Sequence, residues 1–226
     1  MRLLSPRRGA AAAFARSARP DDTAPWREAP WCAIDLELTG LNPRKDTIIA
    51  IGAVPIEHGR VLLGQSAYTL VRTSRRSEQA AVLMHKLRVP DLADAPPLEH
   101  AIEMVFDVLA GRVPVFHTAI VERTFLGPLF TQRRVRLPRA ADTDILGRLW
   151  LRQKGQSGAT RLPLERLALM LGQTPEPAHH ALGDALTTAA VFVALASHLD
   201  AVEPQTVGSL VWADERLRGA RRLGAG

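Results

Sequence analysis

The stretch Trp31-Cys-Ala-Ile-Asp-Leu-Glu-Leu-Thr-Gly-Leu41 decides how the rest of this chain is read. It starts as an apolar run and then sets Asp35 and Glu37 two residues apart, with Ile34, Leu36 and Leu38 between and beside them. In an extended strand such residues share a face, so both carboxylates converge on one side while apolar side chains anchor the other. Two like charges so close repel each other and favour protonation unless a cation neutralises them. Oxygen ligands of this kind suit magnesium or manganese. The pair alone also fits an ordinary strand with one solvated face, and the remaining chain has to decide.

Outward from this strand, Thr39-Gly40 ends it and Asn42-Pro43-Arg44-Lys45-Asp46 forms a turn-rich connection. The β-branched run Thr47–Ile56 predicts a second strand, Glu57-His58-Gly59-Arg60 a hairpin turn, and Val61–Val71 a returning third strand. After an Arg/Ser loop the period changes. Ile102, Val105, Phe106 and Leu109 form a helical stripe within Leu98–Ala110, which Gly111 stops. Val113–His117 reads as a short buried strand, and helices are expected over Val121–Gln132, Ile145–Leu151, Leu162–Leu171 and Ala181–Leu199. A hairpin followed by alternating strands and helices implies one α/β domain with a mixed sheet.

The chain has 226 residues and 46% hydrophobic content, enough for a sizeable core. Cys32 is the single cysteine, so no internal disulfide forms and a reducing cytoplasm is the expected setting. No apolar run reaches the roughly 18 residues of a membrane span, and a soluble protein is expected. Of the formal charge of +6, residues 1–30 carry +3 and residues 213–226 carry +2, which leaves +1 for residues 31–212. The basic balance therefore says less about a polyanionic partner than the pI does. Local clusters matter more: Arg72, Arg75 and Arg76, then Arg133, Arg134, Arg136 and Arg139, fit either a phosphate-tracking surface or solvated loops. Residues 1–30, rich in Ala, Arg and Pro, lack the apolar core of a secretory signal and read as a disordered or partly helical extension. Residues 31–204 form the expected domain and residues 205–226 a C-terminal extension.

Two further groups of residues could complete a site with Asp35 and Glu37. His179 and Asp184 are five positions apart, about 140° around a regular helix, so they face one cavity only if His179 precedes the helix. Pro175 and Pro177 favour that extended approach, and His180 is a neighbouring competitor. Glu122 falls in the first turn of a helix leaving a buried strand, a place where the helix dipole alone favours an acid.

In this order and context the residues resemble the DEDDh (DnaQ-like) exonuclease family, over residues 31 to about 198. Asp35-Leu36-Glu37-Leu38-Thr39-Gly40-Leu41 is similar to the family's first motif, with Asp46 and the run from Ile48 to Val54 continuing the match. His117-Thr118-Ala119 with Glu122 and Phe125-Leu126 resembles the second, and His179-His180-Ala181-Leu182-Gly183-Asp184-Ala185 the third. Glu122 stands where an Asp is usual and Thr118 where an Asn is. The resemblance implies a ribonuclease-H-like fold and two-metal hydrolysis of phosphodiester bonds from the 3′ end of single-stranded DNA. Two Mg²⁺ or Mn²⁺ ions would be held by Asp35, Glu37, Asp184 and Glu122, with His179 as general base. Leu38, Thr39 and Leu41 are the implied wedge against the terminal base, His85 and Thr118 further substrate contacts, and a DNA polymerase a candidate partner. An RNA or oligonucleotide substrate stays open, because nothing in these motifs reads a 2′-hydroxyl. So does a nucleic-acid-binding module that has kept the fold and weakened the chemistry.

Overall fold

A computed structural model describes residues 9–156 and 161–211. The elements are α1 (Gly9–Arg16), β1 (Trp31–Leu38), β2 (Ile48–Glu57), β3 (Arg60–Val61), β4 (Ala67–Leu70), α2 (Gln79–His85), α3 (Leu98–Leu109) and β5 (Val113–Phe116). They continue with α4 (Ile120–Gln132), β6 (Ala141–Asp142), α5 (Thr143–Gln153), α6 (Leu164–Met170), α7 (Ala181–Asp200) and α8 (Val207–Val211).

One sheet runs in the order β3-β2-β1-β5-β6, with β4 also paired to β2. The strands β1 to β4 meet in antiparallel pairs, whereas β5 joins β1, and β6 joins β5, in parallel. This is the expected mixed sheet, and the alternation along β1 explains how it is covered. Trp31 and Ala33 pack with α5, α6 and α7 on one face. Cys32, Ile34, Leu36 and Leu38 pack with α1, α3 and α4 on the other. Asp35 and Glu37 continue the Trp31–Ala33 row toward the end where α7 begins, so the strand's pleat aims both acids past the core.

The expected hairpin at 57–60 forms, and three differences from the sequence expectations have physical causes. The third strand is split: after β3 a tight turn at Leu63–Gln65 intervenes before β4 returns to β2. The β2–β3 connection has His58 and Gly59 both at positive φ, as a two-residue hairpin of matching twist requires. Within the expected Arg/Ser loop region, α2 forms with His85 its sole buried residue, which leaves no apolar stripe to announce it. Residues 9–30 pack on the core, with Phe14 centred 5.5 Å from the rings of both Phe106 and Phe130. Trp26 meets Phe192 edge-on at 6.1 Å. The helix α7 is apolar enough for a membrane span by length and composition, and half of that window is buried within the fold. Of the two extensions, residues 1–8 and 212–226 lie outside the described residues.

Candidate active site

The site begins where β1 ends. Its register against β2 shifts between Glu37 and Leu38, and the chain then turns through Thr39-Gly40. Asp46 locks that turn. Its carboxylate accepts from the Thr39 hydroxyl at 3.1 Å and from the Asn42 amide at 2.8 Å. A Cβ on Gly40 would stand 2.6 Å from the Asp46 carboxylate, so a larger residue here would push Asp46 from its place in the turn. The lock leaves Leu41 projecting, 73% exposed.

The third acid comes from the start of α7. The His180 side chain caps that helix, and the His179 amide donates to Asp184 Oδ2 at 2.8 Å. His179 precedes the helix in a left-handed conformation (φ 65°), which brings it and Asp184 to one side as the sequence required. One ligand oxygen each from Asp35, Glu37 and Asp184 lies within 4.8 Å of the others. These three residues line a cavity of about 390 Å³ together with Glu122, His179 and His85.

Electrostatics mark the cluster as short of positive charge. Burial, then the charges of Glu122, Asp184 and Glu37, push the Asp35 carboxyl well above its ordinary value. Burial and then Asp184 raise Glu37 to about 7. Burial raises Glu122 to about 8, assisted by Asp142 and opposed by its own backbone amide. Glu122 is 4% exposed, and its Oε2 has no hydrogen-bond partner. A buried carboxylate oxygen without a donor is costly, and a divalent cation is the group that would satisfy it. The donor set is all hard oxygen, which fits such an ion.

The sequence model of the RNase_T family, described as Exonuclease, matches residues 32–192. The chain belongs to this exonuclease family. A DNA polymerase III subunit epsilon-like protein of Rhodobacter capsulatus is 30% identical over 190 residues, 83% of this chain and 26% of that protein. The chain thus spans about a quarter of that relative's length. Exonuclease X in complex with 5′ overhanging duplex DNA superimposes with a TM-score of 0.62 at 23% identity, covering 81% of this chain and 98% of that one. The nuclease domain of 3′hExo, a DEDDh family member bound to rAMP, superimposes with a TM-score of 0.60 at 16% identity and the same coverage of both chains. These neighbours place the exonuclease domain in the ribonuclease-H-like fold.

Among the remaining sequence candidates of this exonuclease domain, Leu38 and Leu41 line the cavity. Thr39 does not: it is 1% exposed, and besides its bond to Asp46 its hydroxyl accepts from the Thr47 amide at 3.0 Å. Thr118 also stays out of the lining and sits in the left-handed region at φ 62°. His85, from α2, is 7% exposed and accepts from the Leu87 amide through Nδ1 at 3.0 Å. That bond leaves its proton on Nε2, a buried nitrogen without a partner. Burial and the charge of His179 push its imidazole below the ordinary value.

Two features of the site escaped sequence reading. The first is the helical wall around the expected His85, where Ala80, Ala81 and Met84 of α2 also face the cavity. The second is Asp142, which ends β6 and caps α5. Its carboxylate also accepts from the amides of Thr118 at 3.2 Å and Ala119 at 2.9 Å, the turn that launches α4 and Glu122. An Asp-Thr ahead of an apolar periodic stretch signals the cap of α5. Its second role depends on β5–β6 pairing, which local sequence does not show.

Proposed function

We propose that this domain is a metal-dependent 3′→5′ exonuclease that hydrolyses phosphodiester bonds at the 3′ end of single-stranded DNA. The observation that carries this is the convergence of Asp35, Glu37 and Asp184 oxygens within 4.8 Å, in a cavity that His179 also lines. Asp35, Glu37, Asp184 and Glu122 would hold two Mg²⁺ or Mn²⁺ ions. When bound, such cations favour deprotonation of water and offset the charge that gathers on the phosphodiester.

His179, which lines the same cavity, accepts the proton of the attacking water through an imidazole nitrogen. The 3′ oxygen of the penultimate nucleotide leaves, and the products are a nucleoside monophosphate and a chain one residue shorter. Leu38, Leu41 and Met84, which line the cavity, contact the terminal base, and His85 donates Nε2–H to an oxygen of the terminal nucleotide. Cys32 takes no part, because burial drives its thiol up to about 12.

Incubation of 5′-labelled and 3′-labelled DNA and RNA oligonucleotides with the protein and Mn²⁺, with EDTA as control, tests the reading. Stepwise shortening of 5′-labelled DNA is expected, with release of labelled mononucleotide from 3′-labelled DNA. Faster shortening of RNA makes it a ribonuclease. Binding without metal-dependent shortening of any strand makes it a binding module. A polymerase partner is the reading that the family resemblance and the Rhodobacter capsulatus relative's description support, and co-purification of a polymerase with the full chain checks it.

A further inference from the structure

Asp35, Gly52 and Tyr68 form one row across the sheet, since Asp35 pairs with Gly52 and Gly52 with Tyr68. The start of α7 rests on this row. A Cβ on Gly52 would stand 2.2 Å from the Ala181 carbonyl oxygen and 2.5 Å from the Leu182 amide nitrogen, so the helix descends onto bare backbone. Tyr68, next in the row, is the sole tyrosine of the chain. Its ring stacks on that of His180, with centroids 4.8 Å apart and planes 22° apart. His180 at the same time accepts from the Gly183 amide at 3.3 Å, which caps α7.

His179 depends on its neighbour. No hydrogen bond to its ring is found among the described residues, and its left-handed backbone is one that histidine holds only when its surroundings impose it. The backbone at 179–180 is held by the hydrogen bond that the His179 amide donates to Asp184 and by the Tyr68–His180 stack.

We propose that Tyr68 is a positioning residue: its ring, stacked on His180, fixes the 179–180 backbone and so orients His179 over the acid cluster. This rests on the exonuclease reading of the site. The role belongs to the ring face, so phenylalanine preserves it and an aliphatic side chain does not. Tyr68 lies in the Asp35 row, and burial and then the charge of Glu37 raise its phenol above the ordinary value.

Steady-state kinetics on a DNA oligonucleotide, with the full chain and its Tyr68→Leu, Tyr68→Phe and His180→Asn variants, form the first half of the test. Loss of the stack in Tyr68→Leu is expected to lower kcat about tenfold with KM changed less than about twofold, since small misplacements of a reacting group are expensive. Tyr68→Phe is expected to retain kcat. His180→Asn keeps a capping side chain and loses the stack, so it should match Tyr68→Leu, and it decides the matter if Tyr68→Leu does not fold. The second half needs no activity. With 3-fluorotyrosine the chain gives one ¹⁹F resonance, which His180→Asn should shift by removing the stacked ring.

An unmoved resonance overturns the stack. A kcat unchanged in Tyr68→Leu and His180→Asn overturns the positioning role, and a rise in KM alone makes Tyr68 a substrate contact instead. A wild-type chain that shortens no oligonucleotide overturns the exonuclease reading and the positioning role with it. An active wild type matched by its variants overturns the positioning role alone.

Discussion

The two sides of the acid site are built differently. On one side Asp35, Glu37 and Asp184 converge from a strand end and a helix start, partly open to the cavity. Each is delivered by backbone that is fixed for its own reasons: the β1–β2 ladder, the Asp46-locked turn and the cap of α7. On the other side Glu122 stands alone and buried, with one oxygen unpartnered. Its helix is launched from a turn that Asp142 clamps and in which Thr118 adopts a conformation β-branched residues avoid. The first side is a preformed donor set that needs only a cation. The second holds its acid at a cost in desolvation and backbone strain.

If that contrast is right, substitutions on the two sides differ in kind. Asp35→Asn removes a group shared by the whole cluster, and a loss in kcat of at least about a thousandfold is expected, the order of several kcal/mol of transition-state stabilisation. A variant within about tenfold of wild type would remove Asp35 from the centre of the site. Glu122→Gln should cost less, about 10- to 100-fold, with the loss partly recovered at high Mn²⁺. Above about pH 8 the same change should raise the thermal stability of the metal-free protein, because an ionised buried carboxylate is replaced by a neutral amide. Unchanged Mn²⁺-dependent activity in Glu122→Gln would take from Glu122 its place among the ligands.

How much of this was visible in the residues follows the same division. The mixed sheet and the row carrying Asp35 and Glu37 were legible because β1 and β2 are strongly apolar and the acids keep the strand period. His179 and Asp184 were legible as a loop-and-helix pair because prolines precede them. What stayed hidden depends on contacts far apart in sequence. Asp142 reaches the α4 turn through β6, a two-residue strand with no pattern of its own. The wall formed by α2 has one buried residue, so nothing periodic reveals it. Phe14 and Trp26 were masked by the surrounding Ala, Arg and Pro, although their aromatic area docks residues 9–30 on the core. Thr39, taken as a substrate contact from its place in the motif, has its hydroxyl committed to Asp46 and Thr47.

A metal-free pH series separates the sides further. Asp35, Glu37 and Glu122 all have raised carboxyl values, chiefly through burial. The folded state therefore holds more protons than the unfolded one, and stability must fall as pH rises. The stabilisation is complete below the ordinary carboxyl value of 4.5 for a Glu and is lost as pH passes about 7 for Glu37 and about 8 for Glu122. The lowered values of His85 and His117 oppose this, so the informative quantity is the difference made by Mn²⁺. Thermal denaturation at pH 5 to 8 in EDTA and in Mn²⁺ should show a gain from the cation that grows with pH. A gain that shrinks with pH would mean that the cation does not compete with protons at these carboxylates.

The smallest effect should come from Thr118, and it tests whether the strain on the second side is real. At φ 62° a β-branched side chain crowds its own backbone, whereas asparagine tolerates the left-handed region. Thr118→Asn leaves the amide that donates to Asp142 in place. Relief of about 1 kcal/mol is expected, a rise in Tm of roughly 2–4 °C for a domain of this size. Alanine removes the branch but lacks the short polar side chain with which asparagine hydrogen-bonds locally in the left-handed region, so Thr118→Ala should gain less than Thr118→Asn. Equal gains would show that the branch and not the left-handed turn is the source of strain. A loss in both would show that the Thr118 side chain makes a favourable contact outweighing its backbone cost, and the second side would then be no more strained than the first.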